Sequence, residues 1–207
     1  MENDGGKALY KETYRQAREQ FAASSAERMA GLSGAVFDPA AKEIRIVYLN
    51  RAYTLSYPEA RISSLQDAAE LPIDEQSLIL QYLAQASGVP ISGRWISFAE
   101  LPHGMLHHQP FVSEAIEPLA RAFGVQPEKL LMTARSLGGE ELGVGDAGVR
   151  IPVFPRIPMA VILWVADEEF PARANIIFDA SAPGYLSTAA LYVLGIAVSK
   201  HLQKLAA

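Results

Sequence analysis

The chain of 207 residues contains no cysteine. Disulfides, thiolate zinc sites, cysteine nucleophiles and Cys-ligated iron–sulfur clusters are therefore excluded within it. Long apolar runs are also missing. The longest lie around residues 157–166 and 189–198, each about half of the ~20 residues that span a bilayer, so no membrane partner is expected. Residues 1–7 are polar and lack the basic and apolar regions of a signal peptide, which leads to the expectation of a soluble, cytoplasmic protein. Charge is scarce. Lys plus Arg number 18 and Asp plus Glu 23, a net charge of −5, which argues against nucleic acid as a partner. Phosphate loops of the G-x-x-x-x-G-K-[ST] kind, G-x-G-x-x-G after a strand, G-x-S-x-G and H-E-x-x-H are all absent. Gly143-Val144-Gly145-Asp146 reads as a turn.

What remains is half hydrophobic, enough for a core. Tyr10, Tyr14, Ala17 and Phe21 recur at helical spacing and predict an amphipathic helix. Residues 34–38, 43–50 and 51–57 read as a three-stranded meander, with Ile44, Ile46 and Tyr48 alternating against Arg45 and Val47. Asp74 reads as a helix N-cap, with Ile73 and Leu78 as a hydrophobic staple and Gly88 as the C-cap. Residues 93–98 read as a short strand or extended lead-in. Val112, Ala115, Ile116, Leu119 and Phe123 form a helical stripe in which Pro118 kinks the helix or starts another. Pro127 opens a further helix ending at Gly138-Gly139. Strands return at 149–154, 159–166 and 174–179, the middle one apolar throughout, as a strand buried on both faces would be. Leu191, Leu194, Val198, Leu202 and Leu205 mark a last helix capped by Ser187 or Thr188. Strands cluster rather than alternate with helices. The expected class is α+β: two antiparallel strand groups, near 34–57 and 148–179, packed with five or six helices. One domain over 1–207 is expected, with two subdomains dividing near 60–75 as the alternative.

Three of the four histidines, His103, His107 and His108, fall in one short segment. Imidazole is the natural ligand for a divalent metal or a haem iron when no thiolate exists, although Pro102 and Gly104 argue against a helix there, and a polar loop is the plainer reading. His201 reads as a boundary histidine on the last helix. Asp167, Glu168 and Glu169 follow the most apolar strand; they read as a solvated turn, or as a carboxylate cluster completed by Asp179 if the flanking strands pair. Arg156, between Pro155 and Pro158, is placed for an ion pair with that cluster or for a ligand carboxylate. Trp95, Tyr57 and Tyr185 are candidate pocket walls, whereas Trp164 is expected in the core.

Several strings resemble one family: Tyr57-Pro58 with Arg61-Ile62-Ser63, Gly93-x-Trp95-Ile96-Ser97-Phe98-x-Glu100-Leu101-Pro102, Gly138-Gly139, Gly145-Asp146, Phe154-Pro155-Arg156-Ile157-Pro158, Leu163-Trp164-x-x-Asp167-Glu168-Glu169-Phe170-Pro171 and Phe178-Asp179. Together they resemble domain of unknown function family 3786 from about residue 30 onward. The resemblance implies a setting in anaerobic bacteria and archaea, near low-potential redox or metallocofactor metabolism, with some members joined to a small iron–sulfur domain. Here any cluster would sit on a partner. The chain departs from the family in carrying Ala189-Ala190 after Thr188, where acidic residues are frequent, and the His107-His108 pair is not part of the resemblance.

The functional expectation is a non-catalytic protein that binds a small molecule or a tetrapyrrole-like cofactor. Its cleft would lie where the Trp95 segment meets the 156–179 strands. The candidate ligand-binding residues are Tyr57, Arg61, Trp95, Ser97, Arg156, Trp164, Asp167, Glu168, Glu169 and Asp179, with His103, His107 and His108 as candidate metal or axial ligands. The alternatives are an enzyme built on Asp167, Glu168, Glu169 and Asp179, or a partner subunit of an iron–sulfur protein.

Overall fold

A computed structural model of the chain describes residues 4–66 and 70–206. Residues 1–3, read above for a leader, and 67–69, within the stretch where a subdomain division was expected, lie outside the described residues.

The first helix, α1 (Asp4–Ala23), buries Ala17 and Phe21 and leaves Tyr10 at its rim. Helix α2 (Ala26–Ser33) starts where Ser25 accepts the Arg28 N–H and stops at Gly34, whose φ of 80° suits a residue without a Cβ. A four-stranded antiparallel sheet follows: β1 (Val36–Asp38), β2 (Glu43–Tyr48), β3 (Arg51–Ser56) and β4 (Ile62–Ser64), in that spatial order. The expected meander thus gains a fourth, three-residue strand, too short to show periodicity. Ile44, Ile46 and Tyr48 are buried as their alternation predicts, while Arg45 and Val47 face water. The β2–β3 turn is Leu49-Asn50, both at positive φ (48° and 62°), the left-handed pair that matches strand twist in a tight hairpin. Leu49 is buried, and its N–H donates to the Val153 carbonyl at 3.0 Å, joining the two sheets at this corner.

Helix α3 (Ile73–Gln85) begins one residue before the expected cap. Pro72 occupies the N-cap, so Asp74 lies in the first turn and its side chain caps nothing; the Ile73–Leu78 staple lapses with it. The helix ends at Ala86, and Gly88 takes its positive φ in the loop beyond. From Phe98 the chain winds through two 3₁₀ turns (Phe98–Glu100 and Gly104–His107) into a continuous helical stretch: α4 (His108–Phe111), a π turn (Val112–Ile116) and α5 (Glu117–Phe123). Pro118 falls in the first turn of α5, directly after the π turn, where the helical hydrogen-bond pattern changes within the continuous stretch. Helix α6 (Pro127–Ser136) and the last helix, α7 (Thr188–Ala206), complete six helices among the described residues when 108–123 is counted as one.

The second sheet is antiparallel and five-stranded, in the order β5-β9-β8-β7-β6, from β5 (Trp95–Ser97), β6 (Glu140–Leu142), β7 (Ala147–Phe154), β8 (Ile157–Trp164) and β9 (Arg173–Asp179). β6 was not foreseen. With two antiparallel sheets and helices grouped apart from them, the protein is α+β. Val149, Ile151, Met159, Val161, Leu163, Ile176 and Phe178 point to one face of this sheet and join a single hydrophobic cluster running from Ala17 to Leu202. β8 is buried over seven of its eight residues, in keeping with its apolar sequence. Its last residue, Trp164, is 38% exposed. The two-residue period puts it on the face away from the helices, opposite Arg173, so the expectation of a core tryptophan is corrected. Aromatic packing closes the junction between the sheets, with Tyr82 stacked on Phe154 at 4.2 Å and Tyr48 tilted against Phe154 at 4.9 Å.

Candidate functional site

The carboxylate cluster is not formed. β8 and β9 pair with Trp164 opposite Arg173, and Asp179 closes the other end of β9, six residues on. At ~3.3 Å per residue, Asp179 stands roughly 20 Å from the hairpin tip. Asp167, Glu168 and Glu169 sit at that tip, exposed to water. Asp167 accepts the backbone N–H groups of Glu169 (2.9 Å) and Phe170 (2.7 Å), and these bonds hold its carboxyl below the usual range. It organises a turn, not a reaction.

Asp179 is fully buried. It accepts five hydrogen bonds: N–H and hydroxyl of Ser92 (both 2.9 Å), the Gly93 N–H (2.7 Å), and N–H and hydroxyl of Ser181 (2.9 and 2.6 Å). Burial pushes its carboxyl up, but the bonds from Ser181 and Ser92 overcome this and hold it at about 2. Asp179 therefore ties the 92–93 loop to the turn after β9.

Arg156 is equally remote from Asp167–Glu169. It lies in the two-residue β7–β8 turn, at the opposite end of β8. Its backbone N–H donates to the Tyr82 hydroxyl at 3.1 Å, and its Nε is buried without a partner, so the expected ion pair is absent. Tyr57 is structural: its hydroxyl donates to the Ser24 carbonyl at 2.9 Å, and its ring meets Phe21 and Phe37 edge-on. Arg61 is exposed in the β3–β4 turn. Trp95 is half-buried on β5, opposite Asp179. Ser97 and Glu100 form a capping box, with N–H and hydroxyl of Ser97 each 2.7 Å from the Glu100 carboxylate.

The cavity lies elsewhere, between the Phe98–His107 segment and the start of α7. Its volume is about 590 Å³, within the ~300–1,000 Å³ usual for small-molecule sites. Phe98, Pro102, His103 and His107 form one wall; Pro183, Leu186, Ser187, Thr188, Ala189 and Tyr192 form the other. Of the residues proposed from sequence, only His103 and His107 reach it.

Local geometry explains why both do. The Thr188 hydroxyl donates to the Pro102 carbonyl at 2.7 Å, latching the loop to the last helix. His103 takes a left-handed conformation (φ 61°), uncommon for a residue with a side chain. At Gly104 an added Cβ would stand 1.9 Å from the Phe98 carbonyl oxygen, so the loop can pass this closely only without one. Beneath the cavity Phe98 stacks on Phe111 at 4.1 Å and meets Tyr192 edge-on at 5.7 Å. Burial and the charge of the nearby Glu114 carboxylate raise the Tyr192 phenol to about 12. His108 does not line the cavity, and its Nδ1 is buried without a partner. Among the described residues no three or more His, Asp or Glu side chains gather in a way that would hold a metal ion, so the three histidines do not form one site.

A second polar group was not legible in advance. Glu75, buried on α3, lies 2.9 Å from His201 Nε2 on α7. The Tyr48 hydroxyl is buried nearby, and burial together with the Glu75 carboxylate raises its phenol well above the ordinary value. No helix among the described residues is long and apolar enough to cross a membrane. No curated protein and no solved structure matches the chain. The family described as Domain of unknown function (DUF3786) matches residues 25–201, across both sheets and both walls of the cavity, and the chain belongs to it.

Proposed function

We propose that the protein is a non-catalytic binder of a small, largely apolar molecule or cofactor, held between the His103–His107 loop and the start of α7. One observation carries this: two imidazoles four residues apart open onto the same aromatic-floored cavity of about 590 Å³. A tetrapyrrole-like ring belongs to the class such a cavity suits, with His103 or His107 offering a nitrogen to its metal. The setting proposed with it is anaerobic redox metabolism in the cytoplasm, beside an iron–sulfur partner, as the family resemblance implies for the metabolism and the partner. Exposed Met105 and Leu106, on the same turn as the two histidines, support a partner protein covering the site. An enzyme built on the four carboxylates has no support, because they do not converge.

The test is native mass spectrometry with an absorption spectrum on protein purified without oxygen from its own host. Added mass that disappears in an Ala189→Trp variant, which fills the cavity, supports the proposal. A bare polypeptide mass for both proteins, with no visible band, overturns tight cofactor carriage.

A further inference from the structure

Of the polar groups that line the cavity, the Ser187 and Thr188 hydroxyls are already engaged. Ser187 Oγ accepts the Ala190 N–H at 3.2 Å, as the cap of α7. Thr188 donates to Pro102, and the charge of nearby Glu114 raises the Tyr192 phenol. The ring nitrogens of His103 and His107 make no hydrogen bond among the described residues. Neither Asp, Glu, Lys nor Arg lines the walls. The two imidazoles are left as the side chains with unpaired ring nitrogens, and each presents an N–H donor whether neutral or protonated. The opposite wall carries the first turn of α7, where backbone N–H groups have no partner within the helix and the helix dipole is positive. Both imidazoles and the helix start can therefore donate to an anion, and no Asp or Glu lines the walls to oppose a negative charge.

Resting on the binding reading above, we propose that the ligand is an aromatic or alicyclic acid. Its apolar frame lies over Phe98, Leu186 and Tyr192, and its anionic group sits between His103 and His107. Imidazole side chains and an apolar floor select together for an amphipathic anion, and the hydrocarbon frame supplies contact area that a free inorganic anion lacks.

Two fluorescent probes separate the claims: 8-anilinonaphthalene-1-sulfonate, and N-phenyl-1-naphthylamine, which has the same rings without the sulfonate. The sulfonate is expected to bind at least about tenfold more tightly than the neutral amine. A double variant, His103→Asn with His107→Leu, should lose that preference while binding the amine within about threefold of the parent; Asn tolerates the left-handed backbone at 103. Should this variant not fold, imidazole-ring NMR of the parent protein answers the same question, His103 and His107 shifting with the sulfonate and not with the amine. Equal affinity for the two probes, or a sulfonate affinity unchanged in the double variant, overturns the acid proposal and leaves the cavity as a binding site. If Ala189→Trp displaces neither probe, the cavity reading falls and this proposal falls with it.

Discussion

Replacing Asp179 tests the reading of this carboxylate as a structural tie. In Asp179→Ala the Ser92, Gly93 and Ser181 N–H groups all lose their acceptor. A buried donor left unsatisfied costs about 1–3 kcal/mol. Ser92 and Gly93 lie near the surface and can recruit water, so the sum is nearer the lower bound, about 3 kcal/mol, or a fall in Tm of roughly 6–12 °C for a chain of this size. Asp179→Asn keeps the shape and one acceptor oxygen, and should cost about 1–2 kcal/mol at pH 7. The carboxyl is held at about 2, below its ordinary 3.8, so it stabilises the fold above pH 4, and this contribution is lost as pH falls through about 2. The shift corresponds to about 2 kcal/mol. Urea denaturation followed by circular dichroism at pH 7, 5, 4 and 3 should show the parent and Asn curves converging toward acid. A Tm for Asp179→Ala within 2 °C of the parent, or a parent–Asn difference constant with pH, would refute the reasoning.

Two further substitutions probe the frame. Tyr82→Phe removes a hydroxyl that donates to the Ser33 carbonyl at 2.6 Å and accepts the Arg156 N–H; a loss of about 2 kcal/mol in urea denaturation is expected, and under 0.5 would show that those groups find other partners. Gly195→Ala on α7 would set a Cβ 2.4 Å from the Phe111 ring, so the melting temperature should fall by several degrees, about 1–3 kcal/mol of overpacking, rather than rise as helix propensity alone predicts.

Local periodicity carried most of the fold. The α1 stripe, the β2 alternation and the apolar β8 are each written within a few residues of one another, and the class followed from their order. What failed were judgements that hang on a neighbour in space. Asp74 resembled a cap until Pro72 took the position. Trp164 resembled core because β8 is apolar, yet the strand end carries it past the helices. Asp179 was grouped with Asp167 on the premise that pairing of the flanking strands brings them together, but the antiparallel hairpin sends the far end of its second strand away from the tip. The cavity was half legible. Its histidines announced themselves as rare polar groups, but Phe98, Pro183, Leu186 and Ala189 look like any other apolar residues, and nothing in the sequence joins residue 98 to residue 192.

The Thr188–Pro102 latch has a temporal consequence. The two sides of the cavity lie more than seventy residues apart in sequence, residues 98–107 and 183–192. On the ribosome the histidine loop emerges first, with no wall opposite it. The aromatic floor stays open to other proteins until α7 is made and docks. Ligand capture must then wait for α7, and a nascent chain stalled before Thr188 would offer chaperones the face that the folded protein offers its ligand.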